Sequence, residues 1–209
     1  MLSFTEYTKI FISLIAIIDP VGTIPIVIAF TAGMSQQKRA RTGRLASLTV
    51  GGILIAALLM GEALLHFFGI SIHSFRTAGG ILLLLMSIDM LVGTHNAPVF
   101  DSTEAGEATS SLAIVPLSTP LLAGPGAIST VILDAHKAHD LMHYAVFALE
   151  IVLLSLTLWV VLRLSPVITK HISATGINIS TRIMGLILAA IAVEFIAIGL
   201  KGLFPALAA

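Results

Sequence analysis

Six stretches of about twenty mainly apolar residues, the length a helix needs to cross a hydrocarbon layer of ~30 Å, occupy most of this chain. They span residues 7–32, 44–68, 75–94, 112–133, 141–164 and 181–204. With 57% hydrophobic and only 11% charged residues among 209, the polar side chains are too few to cover a water-soluble fold. The chain is therefore expected to be an all-α polytopic membrane protein, a single membrane domain over 1–209 whose obligatory partner is the lipid bilayer. The opening MLSFTEYTKIF has no basic segment ahead of a cleavage site, so the first helix is expected to stay in the mature protein.

Composition also removes several function classes. A formal net charge of zero and no long basic run argue against nucleic acid as a partner, because phosphate neutralisation needs clustered Lys and Arg. The absence of cysteine excludes disulfides, thiolate metal sites and thiol relay chemistry. There is no H-E-x-x-H motif, no phosphate loop and no histidine in the sixth span to pair with a membrane serine, so neither enzymatic activity nor a cofactor is expected. His136, His139 and His143, in or beside the fourth loop, read as a solvated face rather than a metal site.

Orientation follows from the basic residues. The segment MSQQKRARTGR joins the first two spans and carries Lys38, Arg39, Arg41 and Arg44, the strongest cytoplasmic marker. Both termini then face outward, and Arg163, Lys170 and Arg182 also fall inside. That leaves Lys9, Arg76, Lys137 and Lys201 outside. Residues 95–111, with Asp101, Glu104 and Glu107 among small polar neighbours, read as a solvated cytoplasmic linker between halves 1–94 and 112–209.

The halves look alike. Pro20 and Pro25 in IIDPVGTIPI are matched at the same spacing by Pro120 and Pro125 in LSTPLLAGPGAI, and glycines accompany both pairs. Arg76 precedes Gly79 as Arg182 precedes Gly185, with Asp89 and Glu194 deeper in the helices that follow. Three helices per half place the second copy upside down, which is a 3+3 inverted repeat.

Paired prolines with glycine nearby should unwind helices 1 and 4 near mid-membrane, where freed backbone groups are tolerated only inside protein or along a watery cavity. Broken helices in matching halves point to a transporter's binding site. Asp19, directly before Pro20, either caps the second half-helix or carries a ligand's ammonium or a coupling proton. Thr119 holds the corresponding place before Pro120. Asp89 and Glu194 are candidates for ion coupling, and Glu62 and Glu150 weaker ones. Arg76 and Arg182 read as interfacial anchors or as contacts to the broken ends. Gly51, Gly52, Gly79, Gly80, Gly185 and Gly199 are expected to let helices approach closely.

The segments DPVGTIP, PLSTPLLAGPGAIST, FRTAGGILLLL and GINISTRIMGLILAAIAVEFIAIGL resemble the MarC family over essentially the whole chain. That family overlaps the small neutral amino acid transporters called SnatA, and its fold is similar to that of the LysE-type exporters. The resemblance implies a bacterial inner-membrane carrier for glycine- or alanine-like substrates, with a proton or sodium ion as possible coupling ion. Carried over by position, its binding region comprises Asp19, Pro20, Gly22, Thr23 and Pro25 with Thr119, Pro120, Gly124, Pro125 and Gly126. Rival expectations are an exporter or channel for another solute, and a scaffold subunit that moves nothing. Oligomeric state is open.

Overall fold

The structure, a computed structural model, describes residues 2–24, 27–28, 31, 34–92, 123–137, 140–171, 174–204 and 206. The linker 95–111, Pro25, Thr119, Pro120 and His139 lie outside them. The described residues form six helices: α1 (Phe4–Ile18), α2 (Gln36–Phe67), α3 (Ile72–Val92), α4 (Pro125–Ala135), α5 (Leu141–His171) and α6 (Ala174–Leu203). By length and composition α2, α3, α5 and α6 can each cross a membrane. The 11 residues of α4 rise only about 16 Å, roughly half a hydrocarbon layer.

Each helix starts or stops for a local reason. A capping box opens α1: Ser3 accepts from the Glu6 N–H, and the Glu6 carboxylate accepts from the Ser3 N–H at 2.7 Å. It stops because Pro20 disfavours a right-handed helical conformation at the residue before it, and Asp19 instead turns left-handed (φ 40°, ψ 69°), which Asp tolerates better than most residues. The chain turns through residues 20–23 and is helical again at Ile24. In α2 the helix begins at Gln36 rather than near residue 44, so the basic segment expected as a connection is itself helical. Gln, Lys, Arg and Ala are strong helix formers, and the Ser35 side chain caps the start.

Small residues set the packing. The most extensive pairing is α3 against α6, antiparallel: a Cβ at Gly80 would lie 2.9 Å from the Ala192 carbonyl oxygen, and one at Gly185 would lie 3.0 Å from Met90 Cβ. On the other side α2 packs on α5, with Gly51 against Ser155 and the Ser155 hydroxyl donating to the Ser47 carbonyl. Helix α4 rests on α3 through Gly126 against Leu83 and Gly79 against Ser129, and on α2 through Gly61 against Ile132. Contacts of α1 run to α4, α5 and α6. Gly52 departs from the expected close packing, since a Cβ there would meet nothing within 4 Å.

One apolar core, including Leu14, Leu54, Leu83, Val131, Phe147 and Leu188, links all six helices. Outside it the surface is oily: Leu59, Leu85, Leu149, Val152, Leu186 and Val193 are all exposed. So continuous an apolar exterior is a liability in water and a requirement in lipid.

Candidate functional site: a helix break and a charged cavity

The first break is built by its own side chains. Asp19 Oδ1 accepts the Gly22 N–H at 3.0 Å, and the Thr23 hydroxyl donates to the Pro20 carbonyl at 2.8 Å. Asp19 and Thr23 are both buried. A side chain at Gly22 would strike the Asp19 carboxylate and the Thr181 hydroxyl of α6, so a larger residue must push the Asp19 carboxylate out of its place. The Asp19 carboxylate thus closes the turn at the break, ahead of the helix that resumes at Ile24, and it does so at a residue that is also a buried acid.

In the second half the described chain resumes at Ala123, and α4 starts with Gly124 as N-cap and Pro125 in its first turn. No side chain caps this end. Proline is favoured at such a start because its missing N–H would have had no helical partner. Gly124 and Gly126 are buried, whereas Pro125 is exposed. Ile17, Ile18 and Val27 around the first break share one core cluster with Ala123 and Ala127 around the second.

The coupling candidates are not brought together. Asp19 is buried at the break, and Asp89 is exposed on α3, 13 residues or about 20 Å along the helix from Arg76. Glu194 instead shares a cavity with Arg76. This cavity of about 240 Å³ lies between α1, α3, α4 and α6, and its polar lining includes Lys9, Arg76, Thr130, Asp134, Lys137 and Glu194. Asp134 is buried and ion-paired to Lys137 at 2.6 Å. Arg182, which precedes Gly185, is exposed on α6.

Two features depart from the sequence reading. His143 is fully buried rather than part of a solvated face. Its Nε2 lies 3.1 Å from the Asp134 carbonyl and its Nδ1 lies 3.0 Å from the Tyr7 hydroxyl. A carbonyl only accepts, so Nε2 carries the proton and Tyr7 donates to Nδ1. That imidazole ties α1 to α5. Replacing Tyr7 with phenylalanine leaves Nδ1 buried without its donor, and thermal melting in detergent should show a loss of about 1–2 kcal/mol. Second, Asp134 had escaped notice, although its signal was legible: an acid ending the apolar run AISTVIL, with a lysine three residues on. Glu62 pairs with His136 at 3.1 Å, and Glu150 is buried on α5 with one carboxylate oxygen lacking a hydrogen-bond partner among the described residues.

Apolar helices long enough to span, an oily exterior and buried polar groups gathered at a break and a cavity define a polytopic integral membrane protein. The chain belongs to the MarC family of integral membrane proteins, whose model matches residues 4–204. It is 41% identical over 206 residues to the UPF0056 membrane protein YhcE of Escherichia coli K12, covering 98% of this chain and 96% of that one. It is 33% identical to YvbG of Bacillus subtilis over 98% of both chains, and 36% identical to a UPF0056 membrane protein of Aquifex aeolicus over 94% of this chain and 93% of that one. No solved structure matches.

Proposed function

We propose that this protein is a secondary transporter of small neutral amino acids, glycine- and alanine-like, working by alternating access in the bacterial inner membrane with both termini periplasmic. The observation that carries the reading is the matched helix start. After Asp19-Pro20 the chain is helical again at Ile24, and after Gly124 it is helical from Pro125, one hundred residues on from Pro25 in the repeated motif. Half-helix starts at corresponding places attract the carboxylate of a zwitterion, while a buried acid such as Asp19 suits its ammonium or a coupling proton.

A 3+3 inverted repeat accounts for the pairing of helices. Third helix packs on third (α3 on α6), second on second (α2 on α5), and α1 touches α4; α4 touches α2 and α3 just as α1 touches α5 and α6. Such pairing gives two halves that rock about a central site.

The test is counterflow. Liposomes containing the purified protein and preloaded with unlabelled glycine should accumulate radiolabelled glycine and alanine faster than empty liposomes, with saturation. Uptake without acceleration by internal substrate would indicate a pore, and no flux with folded, inserted protein would favour another solute or a scaffold role.

A further inference from the structure

The cavity holds charges that the fold leaves uncommitted. Of its six ionisable groups, Asp134 and Lys137 pair with each other at 2.6 Å. The Glu6 carboxylate accepts from the Ser3 N–H and hydroxyl at 2.7 and 2.8 Å. Lys9 on α1, Arg76 on α3 and Glu194 on α6 remain; Lys9 and Glu194 are exposed, and among the described residues none of the three makes a hydrogen bond or an ion pair within 4 Å. Arg76 is partly buried and feels the Asp134 carboxylate across the cavity without touching it, which leaves its guanidinium donors open to an anion.

Size and position narrow the occupant. A space of about 240 Å³ holds roughly eight waters at ~30 Å³ each, which is room for a solute of a few heavy atoms. Ile10, Leu133, Ile191, Phe195 and Ile198 make up the apolar part of the wall, which favours a solute with a short side chain. Thr130, also in the lining, stands one helical turn from Gly126, so the cavity reaches toward the start of α4.

We propose that this cavity is an outer docking site for a small zwitterion, in which Arg76 and Lys9 hold the carboxylate and Glu194 holds the ammonium before the solute moves on to the breaks. With Glu6, Asp134 and Lys137 already engaged, the two remaining cations, on α1 and α3, and the remaining anion, on α6, select a molecule bearing both charges over a simple amine or a simple acid. The passage to the breaks rests on the transporter reading; the docking site itself does not.

The experiment is equilibrium binding of radiolabelled glycine to the purified full-length protein, run beside glycine counterflow, for wild type, Arg76→Gln and Arg76→Lys. Arg76→Gln should weaken binding and raise KM about tenfold or more, with maximal exchange largely kept, and Arg76→Lys should recover part of the loss. Neither glycinamide, which lacks the carboxylate, nor propionate, which lacks the ammonium, should displace glycine. Unchanged affinity in Arg76→Gln, or displacement by glycinamide as effective as by glycine, overturns the docking site while wild-type counterflow leaves transport standing. Arg76-dependent binding without any wild-type flux keeps the site and overturns transport. With neither binding nor flux, both fall.

Discussion

Replacing Asp19 with asparagine should leave the protein folded and lower glycine counterflow by about tenfold or more, the loss corresponding to ~1.4 kcal/mol of binding or barrier. The two effects separate because the structural contact and the proposed transport role draw on different properties of the carboxyl group. Its shape caps the break: Oδ1 accepts the Gly22 N–H at 3.0 Å, from a backbone at φ 40°. Asparagine also tolerates that left-handed conformation and keeps an oxygen in the same place, so the melting temperature should change little. What asparagine lacks is the ionisable group, buried where a charge needs a partner or a proton. The residual transport should therefore lose its response to an imposed pH gradient. Full pH-gradient dependence in Asp19→Asn would rule out a coupling proton on this residue. Leucine at the same place should fail differently, by unfolding, since it removes the cap at ~1 kcal/mol and is strained at positive φ by another ~1–2 kcal/mol.

The second large effect is expected at Gly80. A Cβ there would sit 2.9 Å from both the Ala192 carbonyl oxygen and the Ile196 nitrogen, and backbone cannot rotate away as a side-chain tip does. Gly80→Leu must prise α3 from α6 along the molecule's most extensive helix pairing, at a cost of about 3 kcal/mol or more. The variant should be lost from the monodisperse peak in detergent size exclusion. Gly52 is the control from the same residue type. With nothing within 4 Å of its would-be Cβ, Gly52→Ala should stay within about 1 kcal/mol of wild type, on the stabilising side. Equal behaviour of the two would mean that α3 and α6 do not meet at Gly80.

What the sequence made legible was whatever depends on neighbours along the chain. Apolar runs announce spans, and Asp19 before Pro20 announces the end of α1, because both rest on local sterics and on transfer from water. Helix ends were less legible. The start of α2 moved to Gln36 since helix propensity does not stop where hydrophobicity does. Of the proposed binding residues, Gly22 is crowded first by its near neighbour Asp19, and only three dimensions reveal its second neighbour, Thr181 on the sixth helix. The burial of His143 was hidden entirely: its partner Tyr7 stands 136 residues away, and nothing near His143 in sequence separates it from a surface histidine. Gly51 and Gly52 illustrate the same limit, adjacent in sequence yet one locked against Ser155 and the other facing open space.

The 32 residues of α2 rise about 48 Å, well beyond a hydrocarbon layer of ~30 Å. The surplus is charged: Lys38, Arg39, Arg41 and Arg44 occupy its first turns, and Arg39 reaches back to the Thr31 carbonyl at 3.3 Å. Drawing such residues toward the bilayer centre costs about 2.5–3.5 kcal/mol each, whereas anionic headgroups hold each in place by ~1 kcal/mol. The helix is thus a depth gauge, pinned vertically at its basic foot, and α5 is stapled to it through Gly51 and Ser155. Piston-like travel of this pair is closed off. The short α4, by contrast, carries no basic residue and a single acid, Asp134, already paired with Lys137, so it has the least to hold it at a fixed height.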